Sequence, residues 1–182
     1  FMPLAYGGGI TSVEKAEEII NIGIEKVILN SSVLINPELV SDLAKIIGSQ
    51  SVVVSIDVKK NLFGNYKIYS HSSKKKPHYN LIEYIKMIQC YGVGEIFINS
   101  VNKDGMMTGY DIDLIKLILN EAEVPFVFCG GASSYNDFIE ISKINKYVGL
   151  AAGSIFVFKG PHKAVLINYP NREELKNILE SK

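Results

Sequence analysis

Asp57 closes the run VVVSID, the most hydrophobic stretch in a chain of 182 residues. A carboxylate at the edge of an apolar core loses part of its hydration, which suits it to take and give protons near neutral pH. The rival reading is an aspartate that caps the turn after its strand. A second carboxylate, Asp104, stands in SVNKDGMMTGYD, where Asp-Gly is also ordinary turn material. Glycine pairs accompany these acids. PLAYGGGITS, from Pro3 to Ser12, returns 122 positions later as PFVFCGGASS, from Pro125 to Ser134, and the same offset pairs Glu18 with Glu140, Ile19 with Ile141 and Ser32 with Ser154. In both copies of this internal repeat a β-forming run ends in glycines and opens onto a helix. Backbone N–H groups and the positive end of that helix then meet at one point, where a phosphate binds well.

The elements that must carry these residues alternate. Strands are expected over Pro3–Gly7, Lys26–Asn30, Ser51–Asp57, Gly94–Asn99, Pro125–Cys129 and Tyr147–Ala152, each followed by a helical stretch. Helices are expected from Ser12 to Gly23, Asn36 to Gly48, Asn80 to Cys90, Asp111 to Glu121, Ser134 to Asn145 and Asn171 to Glu180. KKNLFGNYKIY, ending at Tyr69, reads as a hairpin turning at Gly64-Asn65. Beyond it, Ser70 to His78 with Lys74, Lys75 and Lys76 reads as a solvated loop, its rival being a loop over a negatively charged substrate. The strands are apolar on both faces, which fits a doubly wound sheet or a closed barrel. Two equivalent glycine ends four units apart favour the barrel, because a doubly wound sheet has one crevice for ligand. A full barrel needs about 250 residues, and roughly six units are present here. The expected fold class is therefore α/β, a TIM-type (βα)8 barrel lacking about the first two βα units. Residues 1–182 form one domain that covers strands three to eight.

In such a barrel the chemistry gathers at the C-terminal ends of the strands. That ring consists of Gly7 to Gly9, Asn30 to Ser32, Asp57, Asn99-Ser100, Cys129 to Gly131 and Ala152 to Ser154. It is small, polar and poor in cations, as suits hydrogen bonding to phosphates and a sugar. At the opposite ends, Lys26 and Glu95 precede buried strands and would guard the barrel floor if both pointed toward its axis.

Composition narrows the function classes. Hydrophobic residues make up 47% of the chain, enough for a core, and 19 basic residues balance 19 acidic ones, so no global charge attracts nucleic acid. No apolar run is long enough to span a bilayer, and no signal-peptide pattern opens the chain, so a cytoplasmic protein with no membrane role is expected. Cys90 and Cys129 lack metal-ligand spacing, and His71, His78 and His162 are scattered, so neither a disulfide framework nor a metal site is expected.

The segments YGGGITSVEKA, NPELVSDLAKIIGSQSVVVSIDVK, GVGEIFINSVNKDGMMTGYD, CGGASS and LAAGSIF closely resemble the cyclase subunit family of imidazole glycerol phosphate synthase, in unbroken order over about residues 3 to 156. The resemblance implies a lyase of histidine biosynthesis without metal or organic cofactor. Its substrate, a phosphoribulosyl-formimino aminoimidazole carboxamide ribonucleotide, carries a phosphate at each end and is attacked by ammonia from a glutaminase partner. Asp57 matches one member of the family's acid–base pair, on the fifth barrel strand, and the other member would lie before the sequence given. A chain lacking it is expected to be poorly active alone. The resemblance also carries over Gly9, Asn30 and Ser31 with Asp104 and Gly105 to one phosphate side, and Gly130, Gly131, Gly153 and Ser154 to the other. Asn99 joins the substrate-binding set. Lys26 and Glu95 match residues around the ammonia entrance, with Glu25 near the glutaminase interface. Ile28 and Asn99 replace hydroxyl residues usual in the histidine enzyme, and Cys129 replaces a serine. The ending VFKGPHKAVLINYP, from Val157 to Pro170, is unlike the usual one and resembles relatives of surface-polysaccharide synthesis, thought to pass ammonia to a sugar. A third reading is a non-catalytic scaffold for a glutaminase.

Overall fold

A computed structural model describes residues 2–70, 79–160, 162, 164–174 and 176. Its sheet is built from β1 (Ala5–Gly7), β2 (Lys26–Leu29), β3 (Val52–Lys60), β5 (Glu95–Ser100), β6 (Phe126–Cys129) and β7 (Gly149–Ala151), all parallel and in that spatial order. Helices α1 (Val13–Asn21), α3 (Leu39–Ile47), α4 (Leu81–Cys90), α5 (Ile112–Leu119) and α6 (Tyr135–Ile144) carry the chain from one strand to the next. Adjacent parallel strands joined in sequence by helices form an arc of the TIM-type (βα)8 barrel. The strand β4 (Tyr66–Tyr69) pairs antiparallel with the far end of β3, Asp57 standing opposite Tyr69.

Local chemistry sets the helix ends. The Ser12 side chain accepts from Lys15 N at the start of α1, Asn80 from Ile82 N at α4, and Asp111 from Leu114 N at α5, each satisfying an N–H that the helix leaves open. Asn36-Pro37 forms the turn that enters α3, with Leu39 N bonded to Asn36 O. The hairpin turns through a loop over 61–65 rather than at Gly64-Asn65 alone. Asn61 Oδ1 accepts from both Phe63 N and Asn65 N, which widens the expected two-residue turn. Tyr66 then donates to Asp111 Oδ1 at 2.7 Å and pins the hairpin to α5; burial, followed by that bond, pushes the Tyr66 hydroxyl up to about 12.

Three short elements lie outside the periodicity of the sequence: α2 (Ser31–Ile35), α7 (Ser154–Val157) and a hairpin of β8 (Phe158–Lys159) with β9 (Ala164–Val165). A helix of four or five residues spans little more than one turn, too little for a repeating apolar face. Residues 172–174 and 176 of the expected last helix are helical. Asn171 stands before them, its Oδ1 accepting from Glu173 N and Glu174 N, while residues 175 and 177–180 of that helix, the lysine run from Lys74 to Lys76, His71 and His78 lie outside the described residues.

Alternation along the strands gives the sheet two different faces. Val27, Leu29, Val54, Ile56, Ile96, Ile98, Phe126 and Phe128 point to the helix side, where they form one buried cluster with Ile19, Leu43, Ile88, Leu114 and Ile141. Each such Ile or Leu contributes about 1.5–3 kcal/mol on leaving water. The inner face carries Lys26, Ile28, Val53, Ser55, Asp57, Glu95, Phe97 and Asn99 at alternating positions, half-buried apart from Val53, which is 1% exposed. This polar inner face holds the candidate chemistry.

Candidate functional site at the strand ends

Asp57 stands on the inner face near the C-terminal end of the parallel part of β3. Its two carboxylate oxygens take separate donors: Asn30 Nδ2 reaches Oδ2 at 2.9 Å from the end of β2, and Asn99 Nδ2 reaches Oδ1 at 3.0 Å from β5. The donors come from side chains on the two neighbouring strands, not from the turn after β3. The turn-capping reading is thereby replaced by a carboxylate fixed in orientation on the inner face. Asn99 pairs in register with Asp57, so its amide meets the acid without slack. Its own Oδ1 is buried and has no hydrogen-bond partner among the described residues. Asn99, expected to bind substrate, thus touches the candidate catalytic group itself.

The two glycine copies sit on either side of this clamp. Gly7 to Gly9 face Asn30, Ser31 and Ser32 across a cavity of about 320 Å³, whose wall also includes Ser55. Gly130 and Gly131 face Gly153 and Ser154 across a much smaller one of about 20 Å³. Each cradle therefore joins the glycine turn of one strand to the chain leaving the next, and α2 and α7 begin at those second positions. The helices that directly follow the glycines are used differently. Each has one N–H of its first turn taken by its own cap, Lys15 N by Ser12 in α1 and Asp137 N by Ser134 in a Ser134–Asp137 capping box in α6.

Asp104 and Gly105 belong with the second cradle, not with Gly9, Asn30 and Ser31 as the resemblance implied. The loop after β5 leans toward β6: Gly109 N donates to Gly131 O at 2.8 Å, and Tyr110 reaches past β6 to donate to Ala151 O at 2.9 Å. Between these strands, burial first and then the Asp104 charge push the Cys129 thiol up from its ordinary value, so it stays protonated. Asp137 escaped sequence reading although Ser134-x-x-Asp137 is a capping-box spacing. Burial opposes its ionisation, but Ser133 N, Ser134 N and the Ser133 hydroxyl outweigh that and hold its carboxyl below the usual range. Ser55 was also missed, two residues before Asp57 and hence on the same inner face.

At the floor, Lys26 Nζ lies 2.7 Å from Glu95 Oε2. Because β3 separates their strands, the pair crosses its inner face. Ile28, Ser55 and Phe97 occupy the inner face between this pair and the Asn30–Asp57–Asn99 clamp. Among the described residues no group of three His, Cys, Asp or Glu side chains is placed to hold a metal ion. No described helix is long and apolar enough to cross a membrane.

Comparison with known proteins agrees with this geometry. The family model described as "Histidine biosynthesis protein" matches residues 1–162. The chain belongs to that family. It is 47% identical over 180 residues to "Putative imidazole glycerol phosphate synthase subunit hisF3" of Vibrio vulnificus, covering 98% of this chain and 69% of the relative. A Leptospira interrogans protein named "Putative imidazole glycerol phosphate synthase subunit HisF" is 44% identical over 174 residues, 95% of this chain and 68% of its own length. "Imidazole glycerol phosphate synthase subunit HisF" of Petrotoga mobilis is 41% identical over 157 residues, 86% of this chain and 62% of its own. The HisF resemblance read from the strand-end segments is therefore upheld.

Proposed function

We propose that this HisF-family chain carries the cyclase chemistry of histidine biosynthesis. Ammonia delivered by a glutaminase subunit attacks the phosphoribulosyl-formimino aminoimidazole carboxamide ribonucleotide. Ring closure with cleavage then releases imidazole glycerol phosphate and the aminoimidazole nucleotide. The observation that carries the reading is an oriented carboxylate, Asp57, on strands that lie between two glycine cradles. A substrate with a phosphate at each end fits two anion cradles, and its middle then lies over the one carboxylate held ready to exchange protons. In this reading Gly9, Asn30 and Ser31 hold one phosphate. Gly130, Gly131, Gly153, Ser154 and Gly105 hold the other, with Asp104 at its edge. Lys26 and Glu95 control ammonia entry, and the six parallel strands are the third to the eighth of the barrel. The full-length protein, given ammonium salts and the precursor, should release imidazole glycerol phosphate. An unchanged precursor overturns the assignment.

A second reading is favoured by the C-terminal segment. The Vibrio and Leptospira relatives match over 180 and 174 residues, whereas the Petrotoga protein matches over 157. Matches of 180 and 174 residues must include the unusual ending from Val157 to Pro170, whereas one of 157 residues is too short to reach both ends of the chain. On this reading the same site delivers ammonia to a sugar in surface-polysaccharide amidination, and ammonium-dependent turnover of such a sugar, with none of the histidine precursor, decides for it.

A further inference from the structure

We propose that Asn99 is a positioning residue for Asp57 whose carboxamide turns to follow the proton. It donates Nδ2–H to the carboxylate, and once Asp57 Oδ1 is protonated it presents its own Oδ1 to that O–H. The observed state is the first of these, with Asn99 Nδ2 at 3.0 Å from Asp57 Oδ1 and Asn30 Nδ2 at 2.9 Å from Oδ2.

The argument starts from the unpartnered oxygen. Asn99 Oδ1 is buried without a donor among the described residues, an unfavourable arrangement that calls for a reason. Turning the amide by half a turn would not help while Asp57 is ionised, because it would set a carbonyl against a carboxylate. The charge on Asp57 therefore holds the amide in its present sense. Protonation of Oδ1 reverses the preference: a carboxylic O–H needs an acceptor, and the carbonyl half of the same side chain supplies one. Asn30 keeps its place on Oδ2 throughout, so the proton is confined to the oxygen that faces Asn99. No net chemistry is added. A proton leaves the reacting group as its bond to Asp57 Oδ1 forms, leaving Asp57 neutral, and the same proton returns to the leaving group.

The kinetic part rests on the proposed role of Asp57, whereas the titration does not. In the full-length protein, carbon-13 signals of the Asp57 carboxyl and the Asn99 carboxamide are followed through a pH titration. The Asn99 signal should move with the same midpoint as Asp57 and lie flat in Asp57→Asn; a flat Asn99 signal in the unsubstituted protein overturns the proposal. In turnover, Asn99→Leu should lower kcat about tenfold to a hundredfold with KM within about twofold. Asn99→Thr should recover most of the loss, and Asn99→Leu should cost nothing further in Asp57→Asn. Equal losses in both backgrounds would mark a merely structural residue and overturn it. If the unsubstituted protein leaves the precursor unchanged, the reaction assignment falls while the titration still judges Asn99.

Discussion

Lys26 Nζ stands 2.7 Å from Glu95 Oε2, joining the N-terminal ends of β2 and β5 across the inner face of β3. Their side chains are 38% and 21% exposed, so water screens much of the attraction and the pair adds about 1 kcal/mol or less to stability. Its proposed role is as a floor at the ammonia entrance. Lys26→Met should leave the melting temperature within a few degrees, since ~1 kcal/mol moves a chain of this size by roughly 2–4 °C. With a glutaminase present, glutamine-fed turnover should drop while ammonium-fed turnover stays within about threefold. Steady-state rates with the two nitrogen sources check this, and an equal loss in both counts against a role in ammonia entry.

Asp57→Asn tests the centre of the clamp. Loss of the proposed proton acceptor should lower ammonium-dependent turnover by about 10²–10⁴. The new amide sets an NH₂ group against one of the two Asn donors, so about 1–3 kcal/mol of stability should go with it. Turnover beside thermal unfolding separates the two effects. Unchanged activity in a folded variant would favour the scaffold reading.

Glycine substitutions should divide the two cradles. Gly131 has φ 105°, and a Cβ there would run into the Gly109 carbonyl, a backbone atom that cannot swing aside. Left-handed strain and overpacking together should make Gly131→Ala cost at least about 3 kcal/mol. At Gly9, with φ 70°, a Cβ meets nothing within 4 Å, so Gly9→Ala should cost only about 1–2 kcal/mol of conformational strain. Denaturant midpoints of the two variants provide the comparison.

The Asp137 cap supplies a pH dependence with a definite sign. Its folded carboxyl ionises more readily than the ordinary 3.8, because the Ser133 and Ser134 donors outweigh the cost of burial. The stabilisation is present above the unfolded value and fades as pH falls through the lower folded one. Asp137→Asn should cost about 1 kcal/mol near neutral pH. That difference should shrink below about pH 4. Chemical denaturation of both proteins at pH 7 and pH 3 measures it, and a constant difference would contradict the linkage.

Much of this was legible beforehand because the signals were local. The run from Val52 to Asp57 has to be a strand with both faces covered, and Ser12, Asn80 and Asp111 stand where helices need caps. The repeat between Pro3 and Pro125 correctly marked equivalent positions: Ile19 and Ile141 are both buried in helices that follow glycine turns. The same repeat extended to Ser32 and Ser154, now seen in α2 and α7, although neither short helix has enough turns to betray itself. Asp104 and Gly105 went to the wrong cradle because a loop's lean is set by partners far along the chain, here Gly131 through its bond to Gly109.

What the sequence by itself determined was the alternation of strands and helices, the paired glycine turns and the single carboxylate at the end of an apolar strand. Such features follow from side-chain period and turn chemistry within a few residues. Only the tertiary structure decided that Asn30 and Asn99, 69 positions apart, hold the two oxygens of Asp57. The same holds for Lys26 closing on Glu95 beneath them. Contacts of this kind depend on which strands are neighbours and on their register, and hydrogen bonding across the sheet fixes both.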